Sequence, residues 1–362
     1  MDIKKIFSTL EDPRIDRKKL HLLDDILGLT LLAVLCGADG WEAIELFGKS
    51  KKEFLRQVLE LPNGIPSHDT IERLFQRLDS RKFEEAFMNW VKGLEISTSG
   101  KIISIDGKTL RGSRDEGNGR YAIHLVSAWC GANSISLGQI KTQGKSNEIN
   151  AVKELLTLLD ISGSVITIDA MGCQRDIAEQ IVENGADYIL AVKDNQKKLK
   201  EEIMDMFEFS GALQRTTQTE KDHGRIETRT CSIIKDLGQL QGAQNWRGLK
   251  TIIKIESKRV LKNKTTSETR YYISSIDNNA EYFNHTVRSH WGIENSYHWV
   301  LDVQMGEDAD RKRKNNSAEN FAIIRRVALA MLQNKQLRRL GVKNKQLVAG
   351  WDHAFLLSLL DF

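Results

Sequence analysis

The 362-residue sequence has few cysteines, no long hydrophobic run and little net charge. Its four cysteines, Cys36, Cys130, Cys173 and Cys231, form no CxxC pair, which argues against a zinc site or a disulfide framework and fits a reducing compartment. The longest apolar run, 26–36, is about half as long as a membrane span. The charged first residues lack the apolar core of a secretory signal. We therefore expect a cytoplasmic protein without a membrane partner.

The net charge of +4 does not by itself indicate a nucleic-acid-binding protein. Positive charge is concentrated between residues 311 and 345, which contain eleven Lys or Arg residues and one acid, Glu319. A patch of this kind is typical of a surface that contacts phosphates, and its first members are Arg311, Lys312, Arg313 and Lys314. A solvated helical face beside a charged tail would give the same pattern.

The length of the chain indicates two or three domains. Apolar residues recur at helical spacing in the first part, and a Pro- and Gly-containing turn leads to Ser67, a natural N-cap. The helix that follows carries His68, Arg73 and Arg77. It either belongs to a helix-turn-helix that presents its N-terminus to DNA or forms part of a plain helical bundle. We predict an N-terminal helical, DNA-binding domain over residues 1–96.

From residue 97 the pattern changes from helical to strand. Three strands, a crossover helix, a strand, a helix and a further strand give the element order of an RNase H-like α/β layer. A stretch with a period of two then predicts a β-rich insertion, after which the helical pattern returns. The predicted organisation is a catalytic core in two parts, 97–207 and 277–335, an insertion at 208–276 and a C-terminal helical tail at 336–362.

Two aspartates each end a hydrophobic strand, Asp106 in IISIDGKT and Asp169 in VITIDAMG. The carboxyl ends of strands in α/β sheets open into the crevice where ligands bind. Neighbouring carboxylates repel each other unless a cation lies between them, and oxygen ligands suit Mg²⁺ or Mn²⁺. One such aspartate alone would be read as a turn or cap residue. The matched pair favours a two-metal centre for phosphoryl transfer.

The segment 288–302, RSHWGIENSYHWVLD, offers a third carboxylate. Glu294 would share a helical face with His290 and His298, which lie four residues to either side of it. Asp302 is the competing candidate. A buried Glu is costly unless it meets a cation, which favours a metal ligand over a salt-bridged helix carboxylate.

Seven motifs in order resemble the H-repeat-associated group of insertion-sequence transposases, which belongs to the DDE transposases. They are DGKTLRGS at 106–113, KSNEI at 145–149, TIDAMGCQ at 167–174, AVKDNQ at 191–196, HGRIETR at 223–229, YYISS at 271–275 and HWGIENSYHWVLDVQMGED at 290–308. The likeness covers nearly the whole chain, including the N-terminal GADGWEAIELFGK and NGIPSHDTIERLF.

The resemblance implies that Asp106, Asp169 and Glu294 are the catalytic residues and metal ligands. It also implies two Mg²⁺ ions, or Mn²⁺, per active site, and cleavage and joining of DNA at terminal inverted repeats. The implied partners are double-stranded DNA, as element ends and target, and a second copy of the chain on paired ends, without a small-molecule cofactor. The implied location is the bacterial nucleoid. An RNase H-like nuclease without joining activity and an inactive DNA-binding relative are the alternatives.

The sequence departs from related transposases around Glu294. Many relatives with such an insertion carry a Tyr, an Arg and a Lys there, whereas this chain has His290 four residues before Glu294 and Leu301 seven after it. If the family residues bind phosphates near the scissile bond, then His290, Arg288 or His298 takes their place here. Otherwise residues from another part of the chain bind those phosphates.

Further DNA contacts are expected from side chains near the predicted site, each of which also reads as an ordinary surface residue. These are Lys108 and Arg111 beyond the first aspartate, Lys193 and Asn195 at another strand end, and His223, Arg225 and Arg229 on the insertion. Trp291 and Trp299 either stack on a flipped base or pack in the core.

Overall fold

The computed structural model describes residues 6–361, except 116, 118, 120, 143–146, 223, 262–263 and 334–338. His223 and the first two residues of the KSNEI motif therefore lie outside the described residues. Among the helices of the described part, none is long and apolar enough to cross a membrane.

Five helices form the N-terminal part of the chain. They are α1 (Leu23–Leu35), α2 (Trp41–Ser50), α3 (Lys52–Leu55), α4 (His68–Arg77) and α5 (Ser80–Gly93). α1 is almost entirely apolar and buried, since it runs through the core. Ser67 caps α4 as its sequence predicts, and its Oγ accepts a hydrogen bond from the Thr70 amide at 3.3 Å. The predicted third helix over 51–59 is reduced to the single turn α3.

A nine-stranded mixed sheet follows. Its strands are β1 (Ile102–Leu110), β2 (Ile123–Cys130), β3 (Ile135–Thr142), β4 (Val165–Ile168), β5 (Asp187–Val192), β6 (Gln214–Asp222), β7 (Arg225–Ile234), β8 (Thr251–Leu261) and β9 (Lys264–Ser274). The spatial order is β3-β2-β1-β4-β5-β9-β8-β7-β6. Strands β1, β4 and β5 are parallel, and β2 and β3 extend them as an antiparallel pair. The helices between these strands are α6 (Glu148–Leu158), α7 (Arg175–Glu183) and, after β5, α8 (Lys197–Phe209).

The insertion continues this sheet instead of forming a separate layer. Its last strand, β9, returns antiparallel to β5, with Tyr271 opposite Val192. The sequence predicts strands within 228–234, 249–257 and 268–274, and the structure has a strand at each. It adds a fourth, β6, whose run QRTTQTEKD shows no apolar alternation because most of it is exposed.

The helix after the insertion does not run unbroken from 280 to 301 as its pattern predicts. Helix α9 (Ala280–His290) gives way to π-helical turns at Ile293–His298 and Val300–Gln304. The chain ends in α10 (Ser317–Gln333), α11 (Val342–Trp351) and α12 (His353–Ser358). α10 is buried along nearly its whole length, and one hydrophobic core joins it to the N-terminal helices and the sheet. The N-terminal helices therefore share the core that supports the sheet.

Candidate active site

Asp106 and Asp169 lie side by side where two parallel strands part. β1 pairs with β4 only as far as Ile105 and Ile168, and each aspartate is the next residue of its strand. Asp169 ends β4 as expected. Asp106 lies within β1, because pairing with β2 carries that strand on to Leu110. The prediction that both aspartates end strands is therefore wrong for Asp106, although its place beside Asp169 is the same.

The two aspartates repel each other. Burial, followed by the charges of Asp106 and Glu148, raises the pKa of Asp169. The Asp169 carboxylate accepts a hydrogen bond from the Met171 amide at 3.0 Å, which fixes its orientation. Burial and the charge of Asp106 likewise raise the pKa of Glu294. These carboxylates thus form a locally negative site that a cation would relieve.

Glu294 faces the aspartates from the helical side of the site. It lies in the π-helical turn Ile293–His298 and lines, with Asp106 and Asp169, a cavity of about 310 Å³. π-Helical turns are frequent at functional sites because they displace side chains from regular α-helical register. The competing carboxylate, Asp302, forms an ion pair with Lys108 instead.

The carboxylates that line the cavity are oxygen donors of the kind that Mg²⁺ binds. In the ranges that the structure describes, no three carboxylates, imidazoles or thiols converge closely enough to enclose a metal ion. Mg²⁺, however, uses only one or two protein carboxylates and completes its shell with water and phosphate oxygens. Asp106 and Asp169, with mutual repulsion and a shared cavity, fit that requirement chemically. Glu294 supplies a further carboxylate at the same cavity.

Two histidines support the carboxylates. His298 Nδ1 lies 3.3 Å from Asp106 Oδ2. His290 Nδ1 lies 2.9 Å from Thr167 Oγ1, on the strand that leads to Asp169. Burial lowers the pKa of His290, so at neutral pH it is uncharged. His290 therefore supplies no positive charge beside Glu294 at neutral pH.

Lys108 does not lie at the mouth of the site. Its side chain points to the same face of β1 as Asp106 and is buried between Asp302 and Glu307. Glu307 also accepts a hydrogen bond from Arg326 Nη1 at 2.6 Å. The charge of Lys108 is thus already neutralised, and the residue braces β1 against the π-helical turns and α10.

Other predicted DNA contacts divide into exposed and internally bound side chains. The exposed ones are Lys193, which lines the cavity, and Arg111, Arg311, Lys314, Arg73 and Arg77. Asn195 donates from Nδ2 to the Ala170 carbonyl at 2.6 Å and so holds the turn after Asp169. Both the amide and Nδ1 of His68 bind the Glu45 carboxylate, at 2.8 and 2.6 Å, so the N-terminus of α4 already has an anionic partner.

The basic stretch after residue 311 is not one phosphate-binding surface. Lys312 is buried against Asp310 and the rings of Trp41 and Phe321. Arg325 also binds Asp310, at 2.6 Å. Arg313 Nε donates to the Gly112 carbonyl at 3.0 Å. The spacing of the basic residues does not reveal these contacts, because Trp41 and Gly112 come from distant parts of the chain and Asp310 precedes α10.

The insertion and α9 together enclose a groove of about 670 Å³ beside the cavity, lined by Arg225, Arg229, Arg259, Arg270 and Arg288. Arg229 is buried and binds Glu220 at 2.7 Å, and Arg288 lies 3.4 Å from the same carboxylate. Groove and cavity share Arg270, Trp291 and Glu294. We call this surface the arginine groove.

Arg270 was missed by the sequence reasoning. Because Tyr271 lies opposite Val192, the last residue of β5, Arg270 lies just beyond the carboxyl end of that strand. This is the sheet edge that carries Asp106 and Asp169. The signal in the sequence was the YYISS motif, which marks the strand that returns to the core and brings the preceding arginine to the site.

Comparisons with known proteins identify the family of the chain. The family model described as DDE_Tnp_1-associated matches residues 4–91, and the model described as Transposase DDE domain matches residues 97–332. The chain is 42% identical to the "H repeat-associated putative transposase YhhI" of Escherichia coli (strain K12), over 99% of this chain and 98% of that protein. It is 45% identical to the "Putative transposase YncI" of Escherichia coli O157:H7, over 98% and 93% of the two chains.

Among solved structures, the chain resembles piggyBac transposase in a cryo-EM structure of its synaptic complex with hairpin DNA. The TM-score is 0.50 at 15% identity, with 99% of this chain and 78% of that chain covered, so the likeness concerns the fold. The resemblance inferred from the seven motifs is confirmed by the family models and the full-length relatives. This chain belongs to the DDE transposase family and is a relative of the H repeat-associated transposases.

Proposed function

We propose that this chain is an active insertion-sequence transposase that binds terminal inverted repeats and catalyses metal-dependent DNA strand cleavage and strand transfer. The observation that carries the proposal is that Asp106, Asp169 and Glu294, from three separate elements, line one cavity. The strand order β3-β2-β1-β4-β5, in which only β2 runs opposite to the other four strands, supports an RNase H-like core. We assign that core to 97–207 and 277–335, the insertion to 208–276, the N-terminal domain to 1–96 and the tail to 336–362.

The residues of the site have distinct tasks in this proposal. Two Mg²⁺ ions, when bound, would activate the attacking water or 3′-hydroxyl and offset charge on the leaving oxygen. Asp106 and Asp169 would hold the ions, and Glu294 would complete the carboxylate set. His298 steadies the Asp106 carboxylate. His290 and Thr167 link α9 to β4 and so keep Glu294 in register with Asp169.

DNA is the proposed partner, as element ends and as target. Exposed Lys193, which lines the cavity, and exposed Arg111, which follows β1, are the basic side chains that we assign to phosphate contacts. Strand transfer needs two ends held together, so we propose a homodimer on paired ends. Exposed Arg73 and Arg77 of α4 are the contacts that we assign to the N-terminal domain, together with Arg311 and Lys314 after the site.

A joining assay tests the proposal. The full-length protein is incubated with Mg²⁺, a supercoiled target and labelled duplexes that carry the inverted repeats flanking its gene, and joined products are resolved on a denaturing gel. We expect Asp106→Asn, Asp169→Asn and Glu294→Gln to abolish cleavage and joining while end binding persists. Asp302→Asn is the matched control and should retain measurable cleavage, slowed only by the loss of its ion pair with Lys108. Hydrolysed but never joined ends would indicate a nuclease, and an active Glu294→Gln beside an inactive Asp302→Asn would overturn the assignment of Glu294.

A further inference from the structure

Arg270 is the only residue of the arginine groove, in the part of the chain that the structure describes, whose guanidinium stacks on an aromatic ring at the carboxylate site. Its Cζ lies 4.3 Å from the centroid of the Trp291 ring. Trp291 is three residues before Glu294, and all three side chains line both the cavity and the groove. Stacking on an indole ring holds a guanidinium flat and leaves its in-plane N–H groups free for a planar, two-pronged partner.

The strand register explains why this arginine reaches the site. Glu268, Arg270 and Tyr272 alternate on one face of β9. Tyr272 packs in the hydrophobic cluster beneath α9, with Phe283 and Val287. The next side chain along that face, Arg270, therefore emerges at the carboxyl end of α9, where the π-helical turn with Glu294 begins.

In this structure a carboxylate accepts two parallel hydrogen bonds from the Arg270 guanidinium. Nε donates to Glu268 Oε1 at 2.7 Å and Nη2 donates to Glu268 Oε2 at 2.8 Å. A phosphate diester presents the same pair of oxygens to a guanidinium. Glu268 is more than half exposed, so it can swing into solvent when another anion takes its place.

We infer that Arg270 grips a backbone phosphate of the DNA strand beside the scissile bond and exchanges Glu268 for it when DNA enters. This inference rests on the proposed function. It names Arg270 as the phosphate clamp, the residue that binds phosphate beside the scissile bond, because uncharged His290 and apolar Leu301 do not supply a cation there. The DNA strand would continue from Arg270 into the arginine groove, which Arg259 and Arg288 also line. The clamp thus comes from the last strand of the insertion instead of the helix that carries the catalytic Glu.

The test uses the full-length protein and duplexes with the flanking inverted repeat, in which each of the five phosphates around the cleavage site is replaced in turn by a neutral methylphosphonate. Affinity is measured in Ca²⁺ and cleavage in Mg²⁺. Wild-type protein should lose about tenfold in affinity at one position. Arg270→Ala should be insensitive to that same substitution and should cleave the unmodified end about 10² to 10³ times more slowly.

Arg215→Ala is the matched control, since Arg215 is an exposed arginine on β6 of the same insertion and lines neither the groove nor the cavity. It should keep the wild-type response to the methylphosphonate and cleave within a few fold of the wild-type rate. Arg270→Lys keeps the positive charge but loses the planar pair of N–H donors, so it should cleave at an intermediate rate. It serves as the test variant if Arg270→Ala does not fold. Glu268→Gln should tighten end binding, because its neutral amide competes less with phosphate.

The outcomes separate this inference from the proposed function. If wild-type protein cleaves and joins ends, but Arg270→Ala or Arg270→Lys keeps the full methylphosphonate effect, the clamp is not Arg270. Weaker end binding by Glu268→Gln would show that the Glu268–Arg270 pair is a structural brace, and would also overturn the inference. If wild-type protein neither binds the repeats specifically nor cleaves them, the proposed function itself fails.

Discussion

Glu307→Gln should destabilise the protein more than any exposed ion-pair change, because Glu307 is the shared anion of a fully buried cluster. Its carboxylate binds Arg326 Nη1 at 2.6 Å and also the Lys108 amino group, and all three side chains are buried. The neutral amide of Gln keeps the shape of the Glu307 side chain but removes its charge. Lys108 and Arg326 then stay buried as cations, with Asp302 as the remaining anion at Lys108. Removing one partner of a buried pair costs about 3–5 kcal/mol in unfolding free energy.

The assay is urea denaturation followed by circular dichroism, with Glu53→Gln as the control. Glu53 pairs with Arg56 at 3.1 Å on the surface, and a change there should cost less than about 1 kcal/mol. Glu307→Gln should also slow DNA cleavage, since the cluster ties the strand of Asp106 to the turns that carry Glu294. A Glu307→Gln variant within about 1 kcal/mol of wild type would refute the reasoning.

The pH dependence gives the same prediction an independent check. Burial opposes ionisation of Glu307, but the charges of Arg326 and Lys108 outweigh it and hold its pKa well below the usual range. A lowered folded-state pKa gives stability that is present above the unfolded-state value, near 4.3, and is lost as pH falls towards the folded-state value. The advantage of wild type over Glu307→Gln should therefore shrink below about pH 4.

Two further predictions concern the helices and turns that support the site. Burial raises the pKa of Glu84 to about 8, so folding favours its protonated form, and the free energy of unfolding declines as pH rises from about 4.5 to 8. Glu84→Gln should flatten that decline when denaturation is measured at pH 5.5 and 8.5. An unchanged decline would contradict the raised pKa of Glu84. A Cβ at Gly112 would lie 2.1 Å from the Asp310 carbonyl oxygen, so Gly112→Ala should lower unfolding free energy by about 1–3 kcal/mol or more. Gly93→Ala, which meets nothing within 4 Å, should leave stability unchanged or raise it, and equal melting temperatures for the two variants would disprove the close approach.

The sequence was most informative where the hydrophobic period was clear. The strands that precede Asp106 and Asp169, the capped helix after Ser67 and the β-rich insertion were predicted because each depends on local patterning. Strand β6 was missed because a strand exposed on both faces has no apolar alternation to detect. The break after His290 was missed because π-helical turns keep an apparently helical spacing.

The roles of charged residues were the least predictable part. Lys108 and Lys312 read as surface cations in the sequence, yet Lys108 is bound by Glu307 and Lys312 lies against the ring of Trp41, each from a distant segment. Arg270 shows the opposite case, since only the pairing of β9 with β5 brings it beside the carboxylates. Such long-range pairings depend on the topology of the sheet, which local spacing does not encode.

The proposed metal centre at Asp106, Asp169 and Glu294 is most directly tested by the anomalous scattering of Mn²⁺ in crystals of the full-length protein bound to pre-cleaved inverted-repeat ends. We expect Mn²⁺ between the Asp106 and Asp169 carboxylates, with Glu294 at the same centre. Two ions would lie about 4 Å apart. Anomalous density at Asp302 and Glu307 instead, or none near Asp106 and Asp169 under conditions that support cleavage, would contradict it.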